Sequence, residues 1–180
     1  MNNKLPENQI YEITPLSDRD CFYVVERFKN EFTYPLHSHK EYELNFIQNA
    51  KGVERTVGDS VEEVGDCDLV LITGSDLKHR WSHKRCHSES IREITIQFSP
   101  DVLSENLLNK NQFDTIRHML DKAQVGIAFP QEAIMKVYSM LDTLVRDEGF
   151  YAVIKFLSIL YELSLFKNAK TLSSSSFAHI

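Results

Sequence analysis

The sequence predicts a mainly β chain that turns helical in its second half, a small sandwich or barrel followed by a helical segment. Three observations predict it. Up to residue 98, short runs rich in β-branched and aromatic residues alternate with turn residues. From residue 99 onward the apolar period becomes that of a helix. The strand runs also follow one another at short spacing, which suits a sandwich or barrel better than βαβ units.

The strand runs are 21–29 (CFYVVERFK), 41–49 (EYELNFIQN), 53–57, 68–73 (DLVLIT) and 91–98 (IREITIQF). In the last, Arg92, Ile94, Ile96 and Phe98 alternate with Ile91, Glu93, Thr95 and Gln97, so one face is apolar. Turn signals lie between the runs at Ala50-Lys51-Gly52, Gly58-Asp59, Gly65-Asp66 and Gly74-Ser75-Asp76. Ser99-Pro100 reads as a helix start, a capping residue with proline at the first helical position. Leu103, Leu107 and Leu108 mark a short helix, and Phe113, Ile116, Leu120 and Ala123 a second that Gly126 stops. Beyond Pro130, Ile134, Val137, Leu141, Leu144 and Val145 give an amphipathic helix ending near Gly149.

The last helix, 150–166, carries a narrow polar stripe of Lys155, Ser158 and Glu162 and is otherwise apolar. Such a helix must be covered on several sides. Twin copies of it predict a homodimer built on Leu141, Leu144, Val153, Phe156, Leu157 and Leu160. The tail 168–180 contains the serines 173–176 and no apolar period, so it reads as a linker. The expected organisation is therefore 1–98 as ligand-sensing β unit, 99–167 as helical dimerisation segment and 168–180 as linker.

A net charge of −6 argues against the chain gripping a nucleic-acid backbone by itself. The N-terminus has no apolar signal core, and the run 150–166 is short and interrupted by Lys155 and Glu162, so no membrane span is expected. Cys21, Cys67 and Cys86 are odd in number and widely spaced, which suits reduced thiols and a cytoplasmic location. No glycine-rich phosphate loop and no serine elbow occurs.

The residues with the most chemistry are His37, His39 and Glu43, with His79 in a later strand-rich block. Their even spacing keeps the first three on one side of a regular strand. Three imidazoles and a carboxylate suit a first-row divalent ion. They also suit a hydrogen-bonded polar cluster, or a metal-free pocket that binds a small polar effector; the last is the expectation adopted. Trp81 follows His79 by two residues and falls on the same face, where its ring can stack on a sugar.

The set His37, His39, Glu43 resembles the first motif of the cupins, and 65–79 the second, with His79 in the place of the last ligand. Gly52 comes two residues late and Gly74-Ser75-Asp76 replaces the usual proline. This resemblance implies a cupin-like jelly-roll barrel. The longer stretches 32–52 (FTYPLHSHKEYELNFIQNAKG), Thr56-Val57-Gly58-Asp59, 68–81 (DLVLITGSDLKHRW), Gly126-Ile127-Ala128-Phe129 and 157–163 (LSILYEL) resemble the sensor half of AraC-type transcription factors. That resemblance implies an effector-binding and dimerisation domain that performs no chemistry. It contacts DNA only through a helix-turn-helix domain, which would follow the serine-rich segment. No cofactor is expected, a divalent metal being the alternative. The competing expectation is a small metal-dependent cupin enzyme, an isomerase or oxygenase, using His37, His39, Glu43 and His79 as ligands.

Overall fold

The computed structural model of the chain describes residues 9–174. Its strands form two sheets. The smaller contains, in spatial order, β1 (Ile10–Tyr11), β3 (His37–Ser38), β8 (His79–Ser82), β5 (Glu54–Val57) and β6 (Ser60–Glu63). The larger runs β11 (Lys170–Thr171), β10 (Ile127–Ala128), β7 (Cys67–Ile72), β4 (Tyr42–Gln48), β9 (Ile91–Phe98) and β2 (Tyr23–Lys29). Every ladder is antiparallel except β1 with β3. Among the described residues no ladder joins the sheets, so the expected barrel is not closed. The described residues make a mixed fold, two sheets plus four α-helices.

The central strands of the larger sheet are buried on both faces, and their sequence alternates between two kinds of interior. Leu44, Phe46, Leu69, Leu71, Ile94, Ile96 and Phe98 pack against the helices. The intervening Ile47, Val70, Ile72 and Ile91 face Val53, Val57, Leu77 and Trp81, which come from the smaller sheet and its turns. Toward one end this inter-sheet layer turns polar: Glu43, Asn45, Glu93, Thr95 and Gln97 are all buried there. The polar side of β9 is thus an interior wall, where alternation alone would suit a solvent face.

The helices are α1 (Glu105–Leu108), α2 (Asp114–Lys122), α3 (Gln131–Leu144) and α4 (Gly149–Ser164). Ser99-Pro100 does not start a helix: Ser104 does, its hydroxyl accepting from the backbone N–H of Leu107. Phe156 on α4 stacks at 4.8 Å from Phe22 and 5.0 Å from Phe98, pinning the helix to the sheet. This corrects the expected dimer interface. Leu141, Leu144, Phe156 and Leu160 lie in the chain's own core, and Val153 and Leu157 are half-buried, because the sheet, α2 and α3 supply the cover that α4 needs.

The expected linker is also corrected in part. Lys170–Thr171 pairs with β10, and Ser173 is buried, its hydroxyl donating to the Asp59 carboxylate. Residues 175–180 lie outside the described residues. Gly52, at φ 94°, sits where a Cβ would come within 2.6 Å of the Arg85 carbonyl oxygen, so only glycine fits that turn. No described helix is long and apolar enough to cross a membrane.

Candidate functional site

His37 pairs with His79 across β3 and β8 at one end of the smaller sheet. The strand ends at Ser38, and the chain then turns so that Glu43 arrives on β4 of the opposite sheet, between Gln97 and Ile72. The four residues therefore meet across the gap between the sheets, not along one regular strand. All four are buried, and one donor atom from each lies within 4.8 Å of the others. His79 Nε2 is 3.1 Å and His39 Nε2 3.7 Å from Glu43 Oε2. The His37 and His79 rings lie 4.3 Å apart.

The backbone sets the protonation pattern. His37 Nδ1 is 2.9 Å from the Pro35 carbonyl, His39 Nδ1 2.9 Å from that of Glu41, and His79 Nδ1 2.8 Å from that of Leu77. A carbonyl oxygen only accepts, so each Nδ1 carries the proton and donates it. In the neutral rings every Nε2 then presents a lone pair to the centre, which is how second partners orient metal-bound imidazoles. His39 Nε2, His79 Nε2 and Glu43 Oε2 are fully buried and make no directed hydrogen bond among the described residues. Lone pairs facing lone pairs at this range call for a positive charge between them, a proton or a metal cation.

Without a metal, the protons are divided unevenly. Burial, reinforced by the charge of His79, lowers the His37 imidazole to about 4. Burial also pulls His39 down, but the nearby Glu43 carboxylate, with Glu12 behind it, prevails and holds it above the ordinary imidazole value. Burial pushes the Glu43 carboxyl up, yet His39 and His79 outweigh it and hold it far below the usual carboxylate range.

His37 and Glu43 of the cluster, with Trp81, line a cavity of about 330 Å³ between the sheets, whereas His39 and His79 are buried outside its lining. The Trp81 ring centroid is 6.1 Å from that of His79. Alternation had thus placed these two residues on one face. Four polar wall residues that sequence reasoning missed are Asn45, Glu93, Thr95 and Gln97. Asn45 donates to Glu93 at 3.2 Å and Thr95 at 3.0 Å, which leaves its buried Oδ1 without a donor among the described residues. Glu12 was missed as well; it reaches the histidines from the strand-like segment at the N-terminus. The only signal for the wall was the polar half of the β9 alternation.

No known family profile matches the chain, and no curated protein sequence matches it. Among solved structures it is similar to ToxT from Vibrio cholerae. Apo ToxT K231A from strain SCE256 superposes with a TM-score of 0.51 at 16% identity, over 82% of this chain and 55% of that one. A P21 form of ToxT gives 0.48 at 11% identity, over 87% and 61%. Wild-type ToxT bound to an unsaturated fatty acid gives 0.46 at 14%, over 86% and 58%. The chain thus spans between half and two thirds of the length of these proteins. What the first comparison establishes is a shared fold.

Proposed function

We propose that the chain is the effector-sensing part of an AraC-type transcriptional regulator. It binds a small molecule between the two sheets and passes the result to an attached helix-turn-helix domain. The observation that carries this is the inter-sheet cavity, a buried wall with unmet hydrogen-bonding groups on a fold shared with ToxT, an AraC-family regulator. The sequence resemblance to AraC-type sensors supports it independently. The effector lies against His37, Glu43 and Trp81, which line the cavity, with His39 and His79 buried beside them. A wall of carboxylate, amide and hydroxyl groups favours a small molecule rich in hydroxyl or carbonyl oxygen, such as a sugar, over a long acyl chain.

A thermal-shift screen of sugars, hydroxy acids, amino acids and fatty acids tests this. A polar compound should raise the melting temperature of the wild type and leave the His37→Ala/His39→Ala variant unmoved. Equal stabilisation of both proteins would remove the pocket assignment.

The second reading, a metal-dependent cupin enzyme, draws on the converging Nε2 atoms. The donor set fits a divalent ion: three oriented imidazoles and a carboxylate, with buried atoms that lack partners. Such an ion, held by His37, His39, Glu43 and His79, would serve as a Lewis acid at an open coordination position. A resident ion is equally compatible with the sensor.

Dimer formation remains part of the proposal, through different residues. Phe150, Ile154, Tyr161 and Leu165 are exposed at offsets of four, seven and four along α4, one helical face. Ile154→Asp is expected to shift the wild-type dimer to monomer in sedimentation at micromolar concentration. A monomeric wild type would end this part of the reading.

A further inference from the structure

We infer that Glu12 is a fifth donor of the histidine site, which makes it a closed ion-binding centre instead of an open catalytic one. The inference rests on the reading that His37, His39, Glu43 and His79 hold a divalent ion. Glu12 comes from a part of the chain remote from the motif residues. Hydrogen bonds from Ile10 N–H to Leu36 O (3.1 Å) and from Glu12 N–H to Ser38 O (2.9 Å) lay its segment alongside the strand that bears His37. The side chain then turns inward. Its Oε2 lies 3.7 Å from His39 Nε2 and 3.9 Å from His37 Nε2.

Two features make this more than proximity. His39 Nε2 is the same 3.7 Å from Glu12 Oε2 and from Glu43 Oε2, so both carboxylates flank one ring nitrogen, Glu12 standing just outside the four residues whose donor atoms lie within 4.8 Å of one another. The Gln97 side-chain amide, itself buried, donates to both, at 3.5 Å to Glu12 and 3.4 Å to Glu43, and so fixes them side by side. Two carboxylates beside three neutral imidazoles carry a net charge that one divalent cation balances.

Five protein donors leave a first-row ion at most one free position. Catalytic centres keep room for water and substrate, whereas closed ones hold the ion as a fixture. The mixed nitrogen and oxygen set suits manganese, iron, cobalt, nickel or zinc. The ion would then fasten the segment of Glu12 to both sheets. A small-molecule effector would sit beside it, toward Asn45 and Glu93.

Co²⁺ titration tests this, followed by calorimetry and by the visible absorption of the bound ion, in the wild type, Glu12→Gln and His39→Ala. Glu12→Gln is close to isosteric, and its metal-free melting temperature serves as the control for folding. The expected result is one Co²⁺ per wild-type chain. Affinity in Glu12→Gln should fall by about 10–100-fold, with stronger visible bands, since these intensify as the coordination number drops. Unchanged affinity and spectrum in Glu12→Gln, with binding lost in His39→Ala, would overturn the fifth donor and leave the four-residue site standing. If the wild type takes up no Co²⁺, the metal reading and this inference fail together.

Discussion

On the proposed metal reading Glu43→Gln is expected to weaken ion binding at least about 100-fold, and in the metal-free protein to change how stability depends on pH. In the metal-free wild type, two histidines pull in opposite directions. His37 is lowered to about 4, so between its unfolded value near 6.5 and that point the unfolded chain binds a proton that the folded chain refuses. Stability is therefore lost as pH falls through this window, by up to roughly 3 kcal/mol. His39 is raised, so its contribution is fully present below 6.5 and is lost as pH rises through its folded value. Together they predict a stability maximum near pH 6.5. Removing the Glu43 charge withdraws the main group that holds His39 up, so the alkaline decline disappears and His39 joins His37 in resisting protonation. The variant should gain stability from pH 5 to about 6.5 and then level off toward pH 8. Urea unfolding with a chelator present, at half-unit steps, reads this directly. Ion affinity should fall at least about 100-fold, since even an outer partner of a ligand is worth roughly 10–100-fold. A pH maximum that survives in Glu43→Gln would mean that another group sets the proton balance.

The same residues mark what a sequence discloses and what it hides. His37, His39 and Glu43 were legible as a set because polar residues at even spacing in a β-rich stretch are unusual on a buried face. The route was different: β3 ends at Ser38, and Glu43 reaches the site from the other sheet. Spacing alone cannot distinguish a straight strand from two strands that face each other. The strand 91–98 was legible to the residue, yet its polar side was not recognisable as a wall, because alternation reports two different environments without saying which is wet. Glu12 left no local signal. It depends on a two-residue parallel pairing with a strand far along the chain. Strand β11 was hidden for the same reason: two residues carry no period, and the serines beside it argued for a linker. In α4 the low polar content was plain, but its cause was not. Most of its apolar surface is spent inside the chain, on Phe22, Phe98 and α3, and only a stripe remains outside.

Arg55→Ala is expected to be the most destabilising exchange of a polar residue, at about 3–5 kcal/mol near neutral pH. Arg55 is buried on β5, directly opposite Trp81 of β8. It donates to Asp68 Oδ1 at 2.6 Å and to Glu62 Oε2 at 2.5 Å. Asp68 belongs to the larger sheet, so this ion pair bridges the two sheets behind the cavity wall. Burial already pushes the Asp68 carboxyl up, and Arg55 is the main force pulling it back. Without the guanidinium, a buried carboxylate is left uncompensated, which costs far more than the pair itself contributes. Two consequences separate this from a loss of packing. The folded variant binds a proton at Asp68 more readily than the unfolded chain, so its deficit should shrink as pH falls toward 5. Adding Asp68→Leu to Arg55→Met should recover most of the stability, because apolar groups of similar volume replace a buried pair at little cost. Denaturant unfolding at pH 7.5 and 5 measures both, and Trp81 fluorescence reports whether the cavity wall loosens alongside. A deficit that is equal at both pH values, and that the double exchange does not relieve, would assign Arg55 to packing and remove the ion pair as the tie between the sheets.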